Sequence, residues 1–233
     1  MKTLLQAGLA AWNIPYTEDM LETFGRFCTS LLETNKVMNL TALKTPEEVA
    51  VKHFLDCAYL GKAVSLSGRR LIDVGCGAGF PGIPLKILNP DCDVLLLDSL
   101  AKRIRFLEDF LQEEGMRGIA ALHGRAEEAV KDRREQFDVA VSRAVAKLPL
   151  LAELCLPYVR PGGVFVAMKS IFAEEEIRDA RRAVSALGGS LSGTEDYTIP
   201  GTEITHRLVF IRKDRQTPAR FPRRFDKMIK NPL

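Results

Sequence analysis

The sequence predicts an α/β protein built on a doubly wound, mostly parallel β-sheet, and three observations support this prediction. After residue 65, short apolar runs alternate with helical stretches, which is typical of βαβ units whose sheet is buried on both faces. A glycine-rich turn directly follows the first apolar run. Two further apolar runs lie close together near the end, and they predict an antiparallel hairpin at the sheet edge.

Residues 1–65 are predicted to form a helical N-terminal cap. From Thr17 to Lys36, apolar residues recur at the helical spacing of about 3.6 residues, which predicts an amphipathic helix. A second helix is predicted to begin at Thr45, because a threonine N-cap, a proline at the first helical position and Glu48 three residues after the cap coincide there. The intervening "VMNLTALK" predicts a turn or a short extended piece.

Residues 66–213 are predicted to form the sheet-containing core. The predicted parallel strands are "RLIDV", "DVLLLD", "IAALHG", "FDVAVS" and "GVFVAMK". The predicted helices are "GIPLKILN", "LAKRIRFLEDFLQEEG", "LPLLAELCLPYV" and "EEEIRDARRAVSALGG". The edge hairpin is predicted from "GTEDYTIPG" and "HRLVFIRK".

Composition and charge limit the classes of function. No apolar run approaches the length of about 20 residues that a membrane-spanning helix needs. The five cysteines are scattered and form no C-x-x-C pattern, which argues against a zinc site and fits the reducing cytosol, so we expect a cytoplasmic protein without a metal. Residues 214–233 form a predicted basic tail: from Arg212 onward there are eight Lys or Arg against two Asp. Such a tail is a candidate for contact with a polyanion, and a solvated terminus is the alternative.

The glycine-rich turn has two interpretations. Gly77-x-Gly79-x-x-Gly82 matches the dinucleotide pattern, and Asp98 stands 16 residues further on, where an acid would bind a ribose. A nicotinamide enzyme and a fold without a ligand are therefore alternatives.

Two features of the turn favour S-adenosylmethionine instead. Asp73-x-Gly75-x-Gly77-x-Gly79 resembles motif I of the Rossmann-like class I methyltransferases. In addition, Pro81 and Pro84 lack the N–H donors that a pyrophosphate would use at a helix N-terminus, whereas S-adenosylmethionine carries a sulfonium and no phosphate.

Position along the chain predicts the roles of individual residues. Asp98 is placed to accept hydrogen bonds from ribose hydroxyls, with a helix N-cap as the alternative. Asp73 is predicted to hold the turn or to meet the ammonium group of the ligand through water. The segment from Gly124 to Glu128 is placed to meet the adenine. Arg143, after the fourth strand, is predicted to face the substrate, with a strand-end ion pair as the alternative.

Six motifs, taken in order, resemble one family over nearly the whole chain: the bacterial small-subunit ribosomal RNA guanine-N7 methyltransferases, or glucose-inhibited division protein B family. The motifs are "MNLTALKTPEEVAVKHFLD", "DVGCGAGFPGIPLKI", "LLLDSLAKRIRFLEDF", "HGRAEE", "FDVAVSRAVAKLPLL" and "PGGVFVAMKS". The resemblance implies that 16S ribosomal RNA or the small-subunit particle is the substrate and that S-adenosylmethionine is the cofactor. The cofactor contacts that it implies are Gly75, Phe80, Asp98, Ala126, Glu127 and Arg143.

The absence of two sequence devices agrees with methylation at guanine N7. Neither "SRAVAK" nor "MKS" supplies the cysteine nucleophile of pyrimidine-C5 enzymes, and Cys155 is predicted to lie in the core. No Asn/Asp-Pro-Pro-Tyr/Phe cluster, which adenine-N6 enzymes use, follows the fourth strand. Guanine N7 has a free lone pair and no proton, so direct in-line transfer without a covalent enzyme intermediate or a general base is predicted. Asp56 and Glu127 are the candidate acids that would face the charged ring.

The remaining predictions concern His53, contacts with RNA, the oligomeric state and the alternative functions. His53 lies on an apolar helical stripe and is predicted to be packed rather than catalytic. The candidate phosphate contacts are Lys52, Lys147, Lys169, Arg220, Arg223 and Arg224. We expect a monomer. A methyltransferase of a small molecule or protein, and a non-catalytic RNA-binding module on the same scaffold, are the alternative functions.

Overall fold

A single seven-stranded sheet with helices on both faces forms the framework of the protein. The structure is a computed structural model and describes residues 1–233. The strands are β1 (Arg70–Val74), β2 (Asp93–Asp98), β3 (Ile119–His123), β4 (Phe137–Arg143), β5 (Val159–Ser170), β6 (Gly189–Thr198) and β7 (Thr205–Lys213). The helices are α1 (Lys2–Ala11), α2 (Glu18–Met38), α3 (Pro46–Val49), α4 (Asp56–Ala63), α5 (Gly82–Leu88), α6 (Ala101–Glu113), α7 (Ala126–Ala129), α8 (Leu148–Cys155), α9 (Glu174–Ala186) and α10 (Phe225–Lys230).

The strand order confirms the predicted fold class. It is β3-β2-β1-β4-β5-β7-β6, with β1 to β5 mutually parallel and with β7 antiparallel to both β5 and β6. The hairpin of β6 and β7 therefore lies at the sheet edge, as predicted. Successive crossovers run outward from β1 in both directions, so the carboxyl ends of β1 and β4 border the crevice where such sheets bind ligands.

The strands separate two apolar layers by the alternation of their side chains. Leu71 and Leu96 belong to a cluster with the side chains of α1, α2, α5 and α6. Their sequence neighbours Ile72 and Leu97 belong to a second cluster, with α8 and α9. This is the period of two that a β-strand buried on both faces requires.

Threonine hydroxyls cap two helices before the sheet, and the cap at Thr45 was predicted. The Thr17 hydroxyl accepts a hydrogen bond from Met20 N at the start of α2, and the Thr45 hydroxyl accepts one from Glu48 N at the start of α3. One feature was not predicted: the helix continues from α3 into α4 through a π-helical turn, Ala50–Leu55. Such turns are frequent at functional sites, and this one carries His53.

The C-terminal segment packs against the rest of the protein. Phe221 and Met228 are buried in the second apolar cluster, and α10, which the sequence analysis did not predict, lies within this segment. The Lys213 ammonium, which is fully buried, donates hydrogen bonds to Leu156 O and Val159 O. The first apolar cluster contains residues from both sides of residue 65, and the second contains residues from both sides of residue 213. The predicted segments 1–65, 66–213 and 214–233 therefore share hydrophobic cores, and their division into separate domains stays a prediction.

The five cysteines are free and buried, and Cys155 lies in the second apolar cluster, as predicted. No helix combines the length and the hydropathy needed to span a bilayer. No group of three or more His, Cys, Asp or Glu side chains is arranged to hold a metal ion.

Candidate active site

A cavity of about 510 Å³ opens at the carboxyl ends of β1, β2 and β4. Its volume falls within the usual range of small-molecule sites. The turn after β1 forms its floor, residues after β2 and β3 line one end, and residues after β4 line the other.

The glycines of the floor turn adopt conformations that other residues rarely adopt. Gly75 and Gly77 have φ of +75° and +58°. A Cβ on Gly75 would lie 2.5 Å from the side chain of Val145, whereas a Cβ on Gly77 would have no atom within 4 Å. The turn is thus tightly packed at Gly75 and open to the cavity at Gly77, where a ligand can approach the backbone closely.

Asp98 holds the turn and lines the cavity. Its Oδ2 accepts a hydrogen bond from Gly77 N at 2.9 Å and one from Arg103 Nη1 at 3.3 Å. Its Oδ1 accepts a hydrogen bond from Leu100 N at 2.9 Å, just before α6. The N-cap residue of α6 is Leu100, so the interpretation of Asp98 as a helix N-cap is wrong. Asp98 lines the cavity, and its contact with a ribose stays a prediction.

Asp73 lies beneath the turn with no exposed surface. Its Oδ2 accepts a hydrogen bond from Gly82 N at 2.8 Å, and its Oδ1 has no hydrogen-bond partner. Burial raises the pKa of this carboxyl to about 7. The floor therefore contains an acid that gains from any positive charge placed above it.

One end of the cavity is formed by the segment after β3. Gly124 N donates to Asp98 O, which joins this segment to the end of β2. The Glu127 carboxylate accepts a 2.6 Å hydrogen bond from Arg125 Nε, and Ala126 O accepts one from Tyr158 OH at 2.7 Å. Ala126 and Glu127 both line the cavity, and their contact with an adenine stays a prediction.

Arg143 lies at the opposite end of the cavity. Its Nη1 donates to Asp56 Oδ2 at 3.0 Å and its Nη2 donates to His53 Nδ1 at 3.0 Å. Its guanidinium carbon lies 5.1 Å from the centre of the Phe80 ring. Arg143 thus lines the cavity while its charge is paired with an acid, and the two interpretations from sequence are compatible.

Asp56 is the centre of a buried polar network. Its side chain is 4% exposed, and its Oδ1 accepts hydrogen bonds from Tyr197 OH at 2.6 Å and from His206 Nδ1 at 2.7 Å. Burial alone would raise the pKa of Asp56, but the His206 hydrogen bond and the Arg143 charge hold this pKa below its usual value. Asp56 lies behind Arg143 and does not line the cavity.

The bonds of His53 determine which of its nitrogens carries the proton. Nδ1 lies 3.0 Å from both Arg143 Nη2 and Lys52 O. The guanidinium can only donate, and Lys52 O has Arg143 Nη1 as another donor at 3.4 Å, so the Nδ1 lone pair is assigned to Arg143 and the proton to Nε2. Nε2 then donates to the Thr41 hydroxyl at 3.0 Å. Burial and the Arg143 charge lower the pKa of His53 to about 4, which keeps the ring neutral. The ring also packs against Phe80, with centres 4.3 Å apart.

The predicted phosphate contacts differ in their availability. Lys52, Lys147, Arg220 and Arg224 are exposed. In contrast, Lys169 donates to Glu176 and to Ala146 O, and Arg223 donates to Glu153. The structure places Lys169 and Arg223 in internal ion pairs, which sequence alone did not indicate.

The comparisons with known proteins agree with this geometry. A family model described as rRNA small subunit methyltransferase G matches residues 20–204. The chain belongs to this family. It is 46% identical over 229 residues to ribosomal RNA small subunit methyltransferase G of Lachnoclostridium phytofermentans, covering 97% of this chain and 95% of that protein. It is 40% identical to the protein of the same name from Acetivibrio thermocellus over 235 residues, with 100% and 97% covered.

A solved structure shows the same fold at low sequence identity. The structure of M. jannaschii TYW2 in complex with AdoMet superposes with a TM-score of 0.55 at 14% identity, covering 68% of this chain and 76% of that chain. The family resemblance and the Rossmann-like class I methyltransferase fold predicted from the motifs are thereby confirmed.

Several residues that line the cavity were not assigned to the site from the sequence. Thr41, His53 and Phe225 are among them. A signal existed for the first two, because "NLTALK" and the helix that follows are part of the resemblance motif. No local pattern marks Phe225, which reaches the cavity only because the C-terminal segment folds back.

Proposed function

We propose that the protein transfers a methyl group from S-adenosylmethionine to N7 of a guanine in small-subunit ribosomal RNA. Membership in the rRNA small subunit methyltransferase G family supports the class of substrate. The observation that carries the choice of base is the set of hydrogen-bond donors at the Arg143 end of the cavity. The protein would act in the cytoplasm, where its RNA substrate is made and assembled.

The floor and the β3 end of the cavity fit S-adenosylmethionine. Gly77 leaves room for a ligand to approach the backbone closely. The carboxylate of Asp98, which is hydrogen-bonded to Gly77 N, has lone pairs that can accept hydrogen bonds from ribose hydroxyls. The unpartnered oxygen of buried Asp73 favours a ligand with a positive charge. When bound, S-adenosylmethionine supplies an electrophilic methyl group. The proposed contacts that line the cavity are Gly75, Gly77, Phe80, Asp98, Ala126, Glu127 and Arg143. Of the other two predicted residues, Gly79 lies outside the lining, and Asp73 would act on the cofactor from beneath the turn.

At the other end, the Thr41 hydroxyl is left with a proton to donate. Its oxygen accepts one hydrogen bond from His53 Nε2 and a second from Leu43 N at 3.2 Å. A hydroxyl has two acceptor positions and one proton, so only the proton remains for a ligand in the cavity. His53 and Arg143 thus make Thr41 a donor.

Arg143 adds further donors beside Thr41. Three of its N–H groups bond to Asp56, His53 and Lys52 O, so two of the five have no acceptor in the protein. The edge of guanine that carries N7 presents two acceptors, O6 and N7, whereas adenine presents an amino group beside its N7. Hydrogen-bond donors at this end of the cavity can bond to O6 of guanine but would repel the amino group of adenine, which supports guanine as the base.

The chemistry needs positioning more than acid or base catalysis. Guanine N7 carries a lone pair and no proton, so no residue has to remove one. His53 is neutral and its lone pair is taken by Arg143, and it is therefore not placed as a base. Cys76 in the floor turn has a strongly raised pKa because it is buried, which makes it unsuited as a nucleophile. Holding the base in line with the methyl donor can lower the barrier by about 7 to 11 kcal/mol.

Radiolabelled methyl transfer tests the proposal. Tritiated S-adenosylmethionine is incubated with small subunits, and separately with their extracted RNA, both from cells lacking this protein. Borohydride and aniline treatment then cleaves the RNA at any N7-methylguanine. A single cleavage site that requires the protein is expected. Label without cleavage would reject N7, and no label in RNA despite calorimetric binding of S-adenosylmethionine would reject RNA as the substrate.

A further inference from the structure

The C-terminal segment is fastened next to the cavity by a buried ion pair. Glu153, on α8, is 1% exposed, and its carboxylate accepts hydrogen bonds from Arg223 N, Nε and Nη2 at 2.9, 2.8 and 2.6 Å. Charged groups that are buried and fully hydrogen-bonded hold a fixed geometry. We call this pair the clasp. It lies one residue from Leu154, which lines the cavity.

Further contacts hold the segment on both sides of the clasp. Arg223 Nη1 also donates to Asn231 O at 2.9 Å, across α10. Before the clasp, Phe221 is buried and its carbonyl accepts a hydrogen bond from Arg134. After it, Met228 on α10 is 1% exposed. Hydrogen bonds and buried apolar side chains on both sides of Arg223 therefore determine the position of α10.

This attachment brings Phe225 to the cavity. Phe225 begins α10, lines the cavity and retains 36% of its surface exposed. The Arg125 guanidinium carbon lies 4.4 Å from the centre of its ring, and Arg125 is itself oriented by its hydrogen bond to Glu127. An aromatic ring paired with a guanidinium is a surface on which a nucleobase stacks well.

Phe225 lies at the end of the cavity that would hold an adenine. Arg125, Ala126 and Glu127 follow β3, and this segment is hydrogen-bonded to the end of β2 at Asp98. The donors Thr41 and Arg143 lie at the other end, where the loop between α2 and α3 meets the end of β4 through His53. An adenine bound at the β3 end would therefore lie beside this ring, whereas a guanine bound at the Arg143 end would not.

We infer that Phe225, held by the clasp and paired with Arg125, is the aromatic wall against which the adenine of S-adenosylmethionine packs. The inference rests on the proposed function, since it assumes that this cofactor occupies the cavity. It assigns to the C-terminal segment a role in cofactor binding, in addition to any contact that its exposed arginines make with RNA. It also explains why Arg223, one of the predicted phosphate contacts, is turned inward.

Calorimetric binding with matched variants tests the inference. Stacking of a base on an aromatic side chain predicts that Phe225→Ala weakens S-adenosylmethionine binding about 5- to 100-fold, and Phe225→Leu nearly as much, whereas Phe225→Tyr retains affinity. The matched control is Ile229→Ala, since Ile229 is on the same helix, 55% exposed and outside the cavity lining. This control should bind as the unaltered protein does.

A fragment of the cofactor locates the effect at the adenine end. 5′-Methylthioadenosine lacks the amino-acid part, and Phe225→Ala should weaken its binding by the same factor. In Phe225→Trp, the new indole should lose fluorescence on titration with this fragment. Unchanged affinity of Phe225→Ala for both ligands would overturn the inference while the proposed function stands. Failure of the unaltered protein to bind S-adenosylmethionine would overturn the proposed function, and this inference with it.

Discussion

At the scale of single residues, the Thr41 hydroxyl shows how a neighbour can define the role of a group. Arg143 cannot give up its protons, so it fixes the tautomer of His53, and His53 in turn makes Thr41 a donor. Through these three side chains, the cavity favours a ligand that presents a hydrogen-bond acceptor to Thr41.

This chain of bonds predicts the behaviour of Thr41→Val. Loss of one hydrogen bond to an uncharged acceptor should lower kcat/KM for RNA methylation roughly 3- to 10-fold, whereas Thr41→Ser should retain activity. Steady-state rates with the RNA substrate measure this.

An RNA with 2-aminopurine at the target position provides the control, because this base has N7 but no O6. The unaltered protein should lose activity on this RNA, and Thr41→Val should lose no more. If the two losses multiply, Thr41 does not act through O6.

Asp73 predicts a pH dependence of cofactor binding. Its pKa in the free protein is raised to about 7 by burial, with the Arg143 charge opposing and the Asp98 charge adding to this shift. A bound cation favours the carboxylate, so binding releases a proton. Affinity for S-adenosylmethionine should therefore rise with pH, by up to about tenfold per unit below pH 7, and then level off.

Calorimetry in two buffers of different ionisation enthalpy counts the released proton at pH 6.5. Asp73→Asn should abolish both the proton release and the pH dependence. A pH dependence that persists in this variant would assign it to another group.

At the scale of elements, the Asp56 network joins parts of the chain that are distant in sequence. Through Arg143, Tyr197 and His206, Asp56 connects the N-terminal end of α4 to the end of β4 and to the edge hairpin of β6 and β7. The hairpin, which is far from the cofactor turn in the sheet order, thereby supports the orientation of Arg143.

His206 predicts how this connection responds to pH. Its hydrogen bond to Asp56 raises the pKa of His206 in the folded protein. A raised histidine pKa stabilises the fold fully below the unfolded value of about 6.5, and that stabilisation is lost as the pH rises through the folded pKa. The free energy of unfolding should thus fall above pH 6.5 more steeply in the unaltered protein than in His206→Gln.

Urea unfolding from pH 6 to pH 9 measures the difference between the two proteins. His123→Gln is the matched control, since His123 is exposed at the end of β3 and outside this network. An equal pH slope in the unaltered protein and in His206→Gln would contradict the expected coupling.

The elements show which parts of the structure local sequence determines. The cap at Thr45 and the alternating strands were predicted because each depends on neighbours a few residues away. The π-helical turn and α10 were missed. The turn packs His53 against Phe80, and α10 depends on Glu153, some 70 residues before Arg223. Contacts at such distances leave no periodic pattern in one sequence.

The same distinction applies to the site. The glycine turn, Asp73, Asp98 and the segment after β3 were found from motifs, because a strand end followed by a turn has a recognisable pattern. Whether a charged residue faces solvent or an internal partner could not be predicted. Arg223 and Lys169 resemble Arg224 and Lys147 in sequence, and only the folded structure places Glu153 and Glu176 beside the first two.

At the scale of the whole molecule, the exposed basic residues predict the salt dependence of RNA binding. Lys52, Lys147, Arg220 and Arg224 are the predicted phosphate contacts that remain exposed. If all four neutralise phosphates, the slope of log affinity against log salt should be about −3 to −4, and each alanine variant should reduce it by about one.

Filter binding at several salt concentrations measures these slopes. Arg212→Ala is the control: Arg212 is exposed, but it lies near the end of β7, an antiparallel strand that begins at the cavity side of the sheet and ends at the far side. Its removal should leave the slope unchanged. A slope that none of the four substitutions alters would place the RNA on another surface.

The rates at which the buried cysteines react with a thiol reagent can report local opening of the fold. Burial raises the pKa of Cys28 and Cys92 to about 11 and that of Cys76 and Cys155 well above the usual value, so a thiol reagent meets almost no thiolate while the fold is closed. Each labelling rate then measures how often its surroundings open. Cys76 lies in the floor turn and Cys155 in an apolar core, so a cofactor that slows only Cys76 stabilises the turn, and one that slows both stabilises the entire fold.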